Sequence, residues 1–173
     1  MRPENSRLFR NGLVAGAIGY GLIAVLFALY NVFQGRHALH TAALFGNALL
    51  GRPSESIEVA PIAVYNGLHL VVLLAIGMAA AWTASMVERV SQLWYLLLFL
   101  GIFAFFHLFG VVATLVAPSR AVPLTMVLVA SLMAVLGMSA WLWRAYPGLA
   151  SGVRAVGDFE DPPAPPGRVP KRS

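Results

Sequence analysis

Any chemistry in this sequence has to rest on histidine. There are four, His37, His40, His69 and His107, and no cysteine. Disulfides, Fe–S clusters and thiolate metal sites are thereby excluded, and the redox compartment cannot be read from thiols. His69 and His107 stand in long apolar stretches free of Asp, Glu, Lys and Arg. An ionisable group in such a stretch is costly to place and marks a site worth a functional hypothesis. His37 and His40 are three residues apart, a spacing that lets two rings on a helix reach one metal, although a solvated polar face is the plainer explanation.

Three readings of the histidines compete. A haem b held by His69 and His107 would find small and aromatic neighbours in Gly110, Phe103, Phe105, Phe106 and Phe109; the same phenylalanines could line a quinone groove. A divalent metal could add His37 and His40, giving a shell of His37, His40, His69 and His107. In the third reading each ring is neutral, bonded to Asn66, Tyr65, Thr114 or a carbonyl, and simply joins helices. No spacing motif decides among them, and no cofactor is required. Nucleotide loops of the GxxxxGK[ST] type, GxSxG elbows, HExxH helices and paired intramembrane carboxylates are absent, so the chain reads more as a binding or scaffolding protein than as an enzyme.

The elements that must position these rings follow from composition. Of 173 residues, 59% are apolar and 11% charged, against about 25% charged in a soluble domain. A hydrocarbon core of roughly 30 Å needs about 20 apolar residues to cross it, and four stretches meet that length. The expected fold is therefore all-α: an integral membrane four-helix bundle with spans at about 11–34, 61–86, 93–117 and 123–144. Residues 1–10 form a basic arm, and 147–173, rich in Pro and Gly, form a disordered tail. The first stretch is too long for a signal-peptide core and has no small-residue cleavage site, so it is read as retained.

Between the first two spans, residues 36–51 read as an amphipathic helix lying in the interface. On a helical wheel Arg36, His37, His40 and Asn47 share an arc of about 100°, while Leu39, Ala42, Phe45, Leu49 and Leu50 point elsewhere. Pro61 suits the first turn of the second span. Gly12, Gly16 and Gly19 leave a flat strip on the first span, open to close approach by another helix of this chain, a second copy or a partner subunit, and Ala130, Ala134 and Gly137 make a second strip on the fourth. Because the second and third spans are antiparallel, His69 and His107 lie at similar depths from one face, roughly 12 Å and 16 Å.

Nine bases fall on the side of both termini (Arg2, Arg7, Arg10, Arg89, Arg144, Arg154, Arg168, Lys171, Arg172) and three opposite (Arg36, Arg52, Arg120). The positive-inside rule then puts both termini in the cytoplasm and residues 36–51 on the periplasmic face of a cell membrane. The net charge of +5 belongs to orientation and anionic lipid, not to nucleic acid. Three function classes fit: a small non-catalytic subunit of a larger membrane complex, respiratory or photosynthetic; a haem-, metal- or quinone-binding membrane protein using His69 and His107; or a small transporter or lipid-handling protein.

Overall fold

The computed structural model describes residues 3–52, 56–88, 101 and 122–149. Among these the regular elements are all helical: α1 (Pro3–Phe33), α2 (His40–Leu49), α3 (Val59–Val87) and α4 (Leu124–Ala145). Three of them, α1, α3 and α4, are long and apolar enough to cross a membrane. The expected third span, with His107, lies outside the described residues, as does the tail from residue 150 onward.

The first helix begins at Pro3, a residue whose fixed φ suits a first turn, so residues 3–10, expected as a separate basic arm, are helical and continuous with the apolar stretch that follows. At 1.5 Å per residue its 31 residues extend about 46 Å, more than the roughly 30 Å of hydrocarbon a span must cover. Its far end is closed by Gly35 at φ +69. There the Gly35 N–H donates to the Val32 carbonyl (2.9 Å) and the Arg36 N–H to the Asn31 carbonyl (2.8 Å). This is the left-handed glycine cap that satisfies the last carbonyls of a helix.

α2 ends by the same device. Gly51 has φ +66, its N–H donates to Ala48, and the Arg52 N–H donates to Asn47 at 2.9 Å. The two caps share a sequence, Asn-x-x-x-Gly-Arg, at 31–36 and 47–52. In both, the asparagine is buried to 1% exposure and its side chain reaches forward to hold the segment that follows. Asn31 Nδ2 donates to the Ala38 carbonyl (2.9 Å), and Asn47 Nδ2 to the Ser56 carbonyl (3.0 Å).

The helix between the spans is thus shorter and differently turned than the helical wheel implies. Residues 36–39 form a turn, and α2 starts only at His40. Asn47, expected on the polar arc with Arg36, His37 and His40, points inward, as does Thr41. The physical reason is their hydrogen bonding: a buried amide or hydroxyl with a partner no longer demands water. Arg36 and His37 are exposed as expected, and Leu39, Leu49 and Leu50 face outward with them. α2 sits on α3 where Gly46 meets Pro61; a Cβ at Gly46 would collide with the Pro61 carbonyl.

α1 is the hub of the described helices. Its glycine strip faces α3: a Cβ at Gly12 would stand 2.8 Å from Met78 Cα, and one at Gly16 would stand 2.6 Å from Leu74 Cα. Gly77 of α3 answers from the other side, placed against the Gly12 and Gly16 backbone. Gly19 turns to Met138 of α4, so the strip is taken up within the chain. Ala130 and Ala134 of α4 pack with Ile23 of α1 and Leu73 of α3 in one buried cluster, while Gly137 lies against Leu22 and Ile18. Small residues dominate because lipid tails are as apolar as leucine, leaving close van der Waals contact to hold such helices together. Thr83 and Ser131 are buried but donate to Ala79 and Val127 of their own helices, which satisfies each hydroxyl without a partner helix.

At the end holding the N-terminus, two charged side chains fasten helix ends. Arg7 donates to the Ala145 carbonyl and stands 5.0 Å over the Tyr146 ring. Glu88 Oε1 accepts from the Gly148 N–H at 3.0 Å. Tyr146 is therefore a core residue at 2% exposure, whereas Trp143 is exposed.

Candidate ligand-binding cleft around His69

α1, α2 and α3 converge on a cleft of ≈ 110 Å³, open to one side. The α1 wall is Tyr20, Ile23, Ala24, Phe27 and Ala28, successive positions along one helical face. The α3 wall is Tyr65, Asn66 and His69; Tyr65 and His69 are i and i+4, so their rings lie one above the other. The third wall is Ala38, Leu39, Thr41 and Ala42, from the turn before α2 and its first residues.

The rings form a row across the three elements. Phe45 of α2 stacks on Tyr65 with centroids 5.4 Å apart and planes at 20°. Tyr65 neighbours His69 at 5.3 Å, and His69 neighbours Tyr20 of α1 at 6.2 Å and 52°. These separations are within the range in which aromatic rings attract. Asn31 holds the third wall: its Oδ1 accepts from Thr41 Oγ1 at 2.9 Å while its Nδ2 binds the Ala38 carbonyl. The α1 cap thus fixes where the turn before α2 lies over the cleft.

The other expected site residues fall elsewhere. His37 is exposed on the turn, and its Nδ1 accepts from the Leu39 N–H at 3.2 Å. His40 is half-buried at the start of α2, and neither lines the cleft. Among the described residues, no group of three or more His, Cys, Asp or Glu side chains is placed to hold a metal ion. The pairing of His69 with His107 lies outside the described residues.

Tyr20 and Thr41 are cleft residues that sequence reasoning missed. A signal for Tyr20 existed: it lies 13 residues before α1 ends at Phe33, and His69 lies 10 residues after α3 begins at Val59. Those counts put the two rings at roughly 20 Å and 15 Å from the same end of antiparallel helices. Thr41 carried no comparable signal.

No protein family, curated protein or solved structure matches this chain. Among the described residues, fold and site together define a helical assembly with three membrane-length helices and a cleft lined by aromatic, amide and imidazole side chains.

Proposed function

We propose that this chain is a small, non-catalytic multi-span subunit of a larger membrane complex, and that it holds a membrane-dissolved ligand in the cleft around His69. The observation that carries the reading is the convergence of Tyr20, Tyr65, Asn66 and His69 from two long helices under a wall supplied by α2. A concave site lined by apolar and aromatic groups, with a few convergent polar ones, is the usual form of a small-molecule site. In the full arrangement we propose, residues 93–117 supply a fourth span, both termini are cytoplasmic, and α2 lies in the periplasmic interface. Supporting the interfacial place of α2 is the apolar rim around it, where Phe33, Leu39, Leu49, Leu50 and Val59 are exposed.

Membership of a larger complex draws support from α4. Leu128, Leu132 and Leu136 are exposed one turn apart, an apolar ridge available to a neighbouring subunit or to lipid. Because Gly12, Gly16 and Gly19 are covered inside the chain, the ridge on α4 is the better contact for a partner.

The test is to purify the tagged full chain from its native membranes in mild detergent. Copurifying proteins and the organic extract are then compared between wild type and Ala24→Trp, which fills the cleft. We expect fixed-stoichiometry partners with both chains, and a small molecule retained by wild type and lost from the variant. Equal retention by both, or no retained molecule, would remove the binding role; absence of any partner would remove the subunit role.

A further inference from the structure

The size and charge of the cleft narrow what it can hold. Its ≈ 110 Å³ is of the order of the roughly 150 Å³ engineered cavity that receives benzene. A porphyrin is several times larger, so the described cleft admits one six-membered ring with its substituents or tail lying outward through the open side. Among the described residues, no Asp, Glu, Lys or Arg lines it. At roughly 15–20 Å from the α2 end of the helices, an anionic head would be held there without a counter-charge, which is costly in hydrocarbon.

The groups that are present suit a neutral, oxygen-bearing ring. Tyr20 and Tyr65 offer aromatic walls on α1 and α3 and carry hydroxyls. Asn66, one turn before His69 on α3, has an amide that both donates and accepts, matching a carbonyl or a hydroxyl on the ligand.

Resting on the binding reading above, we infer that the cleft takes the head of a quinone or quinol dissolved in the bilayer. The ring lies in the cleft beside the row of Tyr20, His69 and Tyr65, Asn66 bonds a ring oxygen, and the isoprenoid tail leaves toward lipid through the open side. No redox step is assigned to the protein itself. The site binds and orients.

Dimethoxy-methyl-benzoquinone, the tailless head of ubiquinone, is soluble in water and finds no cysteine to alkylate in this chain. Its binding to the detergent-solubilised full chain is measured by equilibrium dialysis, with haemin, zinc ion and laurate as competitors. Expected is saturable binding, weakened more than tenfold by Ala24→Trp and roughly 3- to 10-fold by Asn66→Leu, the loss of about one hydrogen bond. Leu132→Phe on the exposed ridge of α4 is expected to leave it unchanged. Where Ala24→Trp fails to fold, Ala42→Phe fills the cleft from the opposite wall. Undiminished binding by the filled variants, or displacement by haemin, zinc or laurate, overturns the assignment. If native purification yields a retained molecule that the benzoquinone does not displace, the ligand class falls and the binding role stands; if neither is bound, both fall.

Discussion

Asn31 ties three things together at one point: the capped end of α1, the turn carrying Ala38, and Thr41 at the start of α2. Removing its amide leaves a buried hydroxyl and a carbonyl without their partner, and each such loss costs about 1–3 kcal/mol. Asn31→Ala should therefore destabilise the solubilised protein by about 2–6 kcal/mol and release the wall of the cleft. Thermal unfolding with and without the benzoquinone checks both effects. Unaltered stability would show that the cap does not depend on the side chain. In the sequence Asn31 reads only as a headgroup polar residue beside Tyr30 and Gln34, because a lone asparagine does not reveal whether it meets water or its own backbone. The recurrence of Asn-x-x-x-Gly-Arg at 31 and 47 was the available clue. His69 with Tyr65 was legible because both are on one helix; Tyr20 depends on how two helices are rotated against each other.

At the scale of elements, small residues decide which helices meet. Gly16 stands against the Leu73 and Leu74 backbone of α3, and backbone cannot give way as a flexible side chain can. Gly16→Leu should force α1 and α3 apart, lower the melting temperature sharply and open the cleft they share, as read by loss of benzoquinone binding. A near-normal melt would mean that α1 and α3 do not cross there. The strips at Gly12, Gly16 and Gly19 and at Ala130, Ala134 and Gly137 were visible as helical spacings of small residues, and so was the role of Pro61 in opening α3. What spacing does not carry is the identity of the facing helix. Nor does a helical wheel over residues 36–51 give the face of α2, because those residues are not one helix. α2 begins at His40, after a glycine cap, and hydrogen bonds from Asn47 and Thr41 turn its polar residues inward.

For the whole molecule, the apolar bodies of α1, α3 and α4 follow from the charge-free runs of the sequence, since a helix satisfies its own backbone in hydrocarbon, whereas α1 extends beyond its run through Glu4, Arg7 and Arg10 to Pro3. The proposed orientation and fourth span make a prediction of their own. With no native cysteine, Ser54→Cys and Ser173→Cys can be labelled singly with an impermeant maleimide in intact cells and in inverted vesicles. They should react from opposite sides, Ser54→Cys from outside; labelling from the same side would remove the even number of crossings. The central claim is that α1, α2 and α3 bring Tyr20, Tyr65, Asn66 and His69 around one bound ligand, and isotope-labelled histidine reports on it most directly. With four histidines in the chain, the ring resonance of His69 is assigned by its loss in His69→Gln, then followed by NMR as the benzoquinone is added. The account predicts that the His69 signal moves saturably while those of His37 and His40 stay in place. A His69 signal that does not respond, or equal shifts at His37 and His40, would contradict it.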